Sequence, residues 1–100
     1  MADYFVVVDV RIDDPVAYKR YADGSKPIIE RCGGSYLVRG GAFDVLEGDY
    51  YSPRRLVLLR FPSREDFDTF YNDPEYRALR EERLKVSDMV LIGVEGFTES

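Results

Sequence analysis

Valine dominates every second position from Tyr4 to Ile12, and this period of two predicts a first strand. Asp14 and Pro15 then stand where a helix N-cap and first helical position belong. Val16, Tyr18, Tyr21 and Ala22 follow at near-helical spacing. The run Asp23-Gly24-Ser25-Lys26-Pro27 is expected to interrupt this helix, with residues 27–32 completing it and Gly33 stopping it. Ser35–Arg39 reads as a second strand, and residues 40–53 as a loop or hairpin arm in which residues 43–48 add a short extended piece. Leu56–Phe61 is nearly all apolar and reads as a third strand. Ser63 caps the next helix with Asp66 at the capping-box position, and Phe67, Phe70 and Tyr71 form its apolar stripe. Asp73-Pro74 breaks it and starts a further helix to residue 85, and residues 87–96 form the last strand.

The order β-α-β-β-α-β, with each helix in two parts, predicts an α+β, ferredoxin-like fold with a four-stranded antiparallel sheet. One hundred residues make one domain, spanning residues 1–100. Alternation assigns Tyr4, Val6, Val8, Val10, Tyr36, Val38, Val57, Leu59, Phe61, Val90, Ile92 and Val94 to the face that takes the helices. The opposite face then holds Phe5, Val7, Asp9, Arg11, Leu37, Arg39, Leu56, Leu58, Arg60, Met89, Leu91 and Glu95. That set is too apolar for water yet carries five charges, so a second copy is expected to cover it. Inside such an interface Asp9, Arg39 and Arg60 need partners, because a lone buried charge costs several kcal/mol.

The stretch from residue 33 to residue 48 carries the most detail. A glycine pair stands on each side of a five-residue strand that ends on Arg39, and Leu46-Glu47-Gly48 follows. Tyr36-Leu37-Val38-Arg39-Gly40-Gly41 with this Leu-Glu-Gly resembles the domain-of-unknown-function family numbered 1330. So do Leu56–Phe61 before Pro62-Ser63, and Asp73-Pro74-Glu75-Tyr76 before a charged helix. The resemblance runs end to end. It implies a ferredoxin-like domain that dimerises through its sheet face into a dimeric α/β barrel, and it supplies no reaction. The wider superfamily includes haem-degrading and quinone-forming monooxygenases, muconolactone isomerase-like proteins and stress-response dimers. Its haem-degrading members rely on a histidine ligand, and this chain has none.

Composition narrows the chemistry further. The net charge of −5 and the single aromatic, Phe5, on the outer face argue against a nucleic-acid surface. The glycines match neither a dinucleotide nor a phosphate-loop pattern. No carboxylate cluster resembles a calcium loop, so neither metal nor cofactor is expected. No apolar run approaches the roughly 20 residues that span a bilayer. One cysteine, Cys32, and no signal-like start suit the cytoplasm.

The candidate ligand-binding residues are Arg39, Asp9, Arg60, Glu47 and Tyr18. Arg39 can hold a carboxylate or enolate in a bidentate pair, or form a salt bridge to Asp9 or Glu47. Glu47 acts as a base if burial raises its pKa, and is otherwise an ordinary loop carboxylate. Tyr18 can reach the sheet, while Tyr21 reads as core. Arg54-Arg55 reads as a solvated pair. The expected function is a cytoplasmic homodimer binding a small organic anion beside the sheet, with cofactor-independent proton-transfer, isomerase or monooxygenase-like chemistry. A structural or regulatory dimer without a ligand is the alternative.

Overall fold

A computed structural model describes residues 2–98. The strands are β1 (Tyr4–Ile12), β2 (Ser35–Arg39), β3 (Leu56–Phe61) and β4 (Ser87–Glu95), and the helices are α1 (Pro15–Arg31), α2 (Arg64–Tyr71) and α3 (Pro74–Val86). The sheet is antiparallel in the order β2-β3-β1-β4. The fold is therefore α+β and ferredoxin-like, with the helices on one face.

Local chemistry sets the helix ends. Asp14 accepts hydrogen bonds from the backbone N–H of Val16 and Ala17, and Asp73 from Glu75 and Tyr76. The Ser63 hydroxyl accepts from the Asp66 N–H at 3.1 Å and donates to its carboxylate at 3.0 Å. Gly33, at φ +85°, turns the chain after α1, and Gly34 N–H donates to Ile29 O at 2.8 Å.

The expected interruption of the first helix does not occur. Residues 15–31 are one helix with Pro27 inside it. Pro27 costs one backbone donor. Continuing the helix, however, seats Ile28 and Ile29 in the core with almost no exposure. Gly24 lets Leu79 of α3 approach, since a Cβ there would stand 3.1 Å from its Cδ2. Residues 43–48 form no strand; the whole 40–55 arm is irregular.

β4 and the end of β2 present the opposite faces from those expected. In β4, Val90 pairs with Asp9, Ile92 with Val7 and Val94 with Phe5, so all three lie on the outer face. Met89, Leu91 and Gly93 face the helices, and the Tyr4 ring fills the space above Gly93. In β2 a bulge at Leu37 breaks the alternation. Tyr36 pairs with Leu59, Val38 with Leu58 and Arg39 with Val57. Val57 is core, so the bulge turns Val38 outward and carries Arg39 to the helix side.

Candidate functional site

Because Arg39 lies on the helix side, the candidate site lies between the sheet and α1. Val10 N–H donates to Arg55 O at 3.0 Å, which holds Arg55 against the end of β1. Gly40 sits at φ +72°, and a Cβ on it would collide with the Arg55 guanidinium. The turn needs the glycine, and the Arg55 guanidinium fills the space a side chain would take. Arg39 and Arg55 together flank a groove of about 290 Å³ whose other walls include Ile12, Pro15, Tyr18 and Lys19. Tyr18, Ala22, Arg39 and Arg55 also line an inner cavity of about 30 Å³, where Tyr21, Tyr36 and Tyr76 join them. That volume holds one or two water-sized groups.

Charge in this cleft is one-sided. Arg39 Nη2 donates to Asp23 Oδ1 at 3.0 Å, and its guanidinium lies 5.1 Å from the Tyr36 ring centre. Asp23 also takes Lys19 at 2.7 Å, and these two cations hold its carboxyl below the usual range. Arg55 forms no ion pair among the described residues, and its buried Nε has no partner. Arg83 of α3 is 5% exposed and meets no carboxylate among the described residues. Its Nη1 donates to Tyr76 at 3.1 Å and to Tyr21 at 3.3 Å, and the two phenols share a 2.8 Å hydrogen bond. Burial raises the pKa of Tyr18, Tyr36 and Tyr76; that of Tyr36 is pushed up to about 12. All three are therefore protonated hydrogen-bond donors at neutral pH.

The other sequence candidates lie elsewhere. Asp9 is on the outer face, where its carboxylate accepts from the Tyr51 hydroxyl and from the N–H of Arg54 at 2.9 Å and Arg55 at 3.3 Å. The Tyr51 bond, then the Arg54 N–H, hold its pKa down. Asp9 therefore anchors the arm. Arg60 pairs with Asp3 at 3.0 Å, also on the outer face. Glu47 is exposed on the arm, beside Leu46 and Tyr50. Of the five candidates, the fold brings Arg39 and Tyr18 together and leaves Asp9, Arg60 and Glu47 apart. Arg55, Arg83, Tyr21, Tyr36 and Tyr76 are site residues that periodicity did not reveal. The i, i+3 spacing of Tyr18 and Tyr21 was the available signal for one of them.

Among the described residues no group of three or more histidine, cysteine or carboxylate side chains could hold a metal ion. No helix there is long and apolar enough to cross a membrane.

The family model for DUF1330, a domain of unknown function, matches residues 3–97. No curated protein matches the chain significantly. Among solved structures, a protein of unknown function from Rhodopseudomonas palustris is 22% identical, with 98% of this chain and 85% of that one covered and a TM-score of 0.76. The cofactor-independent oxygenase SnoaB from Streptomyces nogalater is 7% identical, over 99% and 97% of the two chains, at 0.68. A dimeric ferredoxin-like protein from Thermobifida fusca is 12% identical, over 94% and 91%, at 0.56. At these identities the likeness is one of fold.

Proposed function

The chain belongs to the DUF1330 family, and we propose that it is a homodimer, closed sheet to sheet, that binds a small organic anion in the cleft between α1 and the sheet. The observation that carries the ligand reading is the set of donors facing that cleft. Arg39 and Arg55 line it beside the protonated phenols of Tyr18 and Tyr36, buried Arg83 backs Tyr21 and Tyr76, and Asp23 is the one carboxylate paired with these arginines among the described residues. In a chain of net charge −5 such a local excess of cations favours an anionic guest. The groove admits a molecule of about one ring, and the inner cavity admits one polar end of it. Fixed donors of this kind stabilise charge on a bound carboxylate or enolate.

The outer face supports the dimer. Val38, Leu58, Val7 and Ile92 form an apolar row across all four strands. The charges lie toward its two ends and are satisfied within the chain: Arg11 pairs with Asp13 and Asp88, Arg60 with Asp3, and Asp9 accepts hydrogen bonds from the arm. Val38, Val90, Ile92 and Val94 each stay 39–58% exposed on that face, an apolar surface suited to a partner sheet.

Calorimetric titration with benzoate and with aliphatic keto acids tests the ligand reading. Saturable binding is expected, weakened about tenfold or more by Arg55→Gln, which removes the unpaired cation. Failure of every anion to bind would leave the alternative, a structural dimer without a ligand.

A further inference from the structure

Tyr21 and Tyr76 carry two phenolic hydrogens. One of them makes the 2.8 Å bond between the two oxygens. Both oxygens also accept from Arg83 Nη1. The second hydrogen therefore has no acceptor among the described residues, whichever phenol holds it. Both phenols line the inner cavity. Tyr76 is 1% exposed, so a hydrogen left on it is shut off from bulk water beside that space. Arg83 stands behind the pair without a carboxylate, and a guanidinium cannot relieve this by losing its proton. Donation by a cation into a phenol oxygen polarises the remaining O–H and makes it a stronger donor.

We infer that Tyr21, Tyr76 and Arg83 form an oxyanion site at the inner end of the cleft, and that the ligand is a carboxylate bearing a second oxygen, a hydroxyl or enol, that ionises there. This rests on the ligand reading above and assigns the guest two ends. Its carboxylate lies at Arg39 and Arg55 in the groove. Its second oxygen enters the 30 Å³ cavity, which has room for such a group and little more. On ionisation the ligand's O–H bond breaks, the electron pair stays on oxygen, and the proton passes to solvent buffer. The new oxyanion accepts the free phenolic hydrogen. Tyr21 and Tyr76 keep their own protons, so they position and stabilise charge and do not act as bases.

The probe is 4-hydroxy-3-nitrobenzoate, whose phenolate is yellow, with 3-nitrobenzoate as the analogue lacking the hydroxyl. A spectrophotometric pH titration of the bound probe is expected to place its phenol about one pH unit below its value in free solution. The double variant Tyr21→Phe/Tyr76→Phe should return the bound phenol to its free value. A wild-type experiment covers the case in which that variant fails to fold. The ring Cζ resonances of Tyr21 and Tyr76 should shift with the hydroxylated probe and stay in place with 3-nitrobenzoate. An unshifted or raised phenol, a shift that survives the double variant, or unmoved tyrosine resonances would overturn the inference. Binding of 3-nitrobenzoate beside such a result would leave the ligand reading standing, whereas binding of neither probe would remove both.

Discussion

Replacing Val7 with lysine separates folding from association. Val7 lies at the middle of the outer face, paired with Leu58 on one side and Ile92 on the other. It is 37% exposed in the single chain. A lysine there can run its stem along the apolar row and keep its ammonium in water. The cost to the monomer is then a change of strand preference, within about 1 kcal/mol. A sheet-to-sheet dimer removes that water. Each protomer brings one lysine to an interface whose other charges already have partners in their own chain, Asp9 through hydrogen bonds to the arm and the rest through ion pairs. At about 3 kcal/mol per unpaired buried charge, two lysines weaken association by about 6 kcal/mol, or ~10⁴-fold. Sedimentation velocity over a concentration series reads the equilibrium, and circular dichroism checks the fold. The wild type should sediment as a dimer at micromolar concentration, and Val7→Lys as a folded monomer. A Val7→Lys dimer of undiminished affinity would refute the reasoning, and so would a monomeric wild type.

Four further outcomes follow from the same contacts. Gly40→Ala should destabilise the fold by about 1–2 kcal/mol in thermal or denaturant melts, because alanine meets both a positive φ and the Arg55 guanidinium. Deleting Leu37 removes the bulge but keeps Val38 opposite Leu58 and Arg39 opposite Val57, so the deletion should retain benzoate binding; a deletion that folds and loses binding would count against the register. Asp9→Ala should speed proteolysis of the arm within residues 44–50. In the wild type the folded pKa of Asp9 is lowered, so its anchoring persists above the ordinary carboxylate value of about 3.9 and is lost as the pH falls below it. The raised pKa of Tyr36 works in the other direction: its protonated form is favoured by folding, so stability should fall as the pH rises from about 10 towards about 12, with Tyr36→Phe flattening that part of the melting curve.

Much of the architecture was legible because local chemistry decides it. The caps at Asp14, Ser63 and Asp73, the turn at Gly33 and the valine alternation of β1 need no tertiary information. The phase of β4 was not legible. Val90-Leu91-Ile92 is apolar on both sides, so hydrophobicity could not say which residues take the helices, and only the pairing with β1 does. The bulge at Leu37 leaves no mark in composition, yet it decides which side of the sheet Arg39 serves. The run from Asp23 to Pro27 read as an interruption, but burial of Ile28 and Ile29 outweighed the missing donor of Pro27. Arg83 lies among similar charged residues on α3, and what distinguishes it is contact with Tyr21, 62 positions away in sequence. Arg55 resembles its solvated neighbour Arg54 until Gly40 is seen to make room for it.

The proposed role of the cleft between α1 and the sheet is to receive an organic anion at Arg39 and the unpaired Arg55. Its most direct test is a titration of labelled protein with benzoate, followed through the Nε–Hε resonances of its arginines. Saturable shifts are expected at Arg39 and Arg55, with Arg11 and Arg60 on the outer face unmoved. Shifts confined to Arg11 and Arg60, or none up to millimolar benzoate, would contradict it.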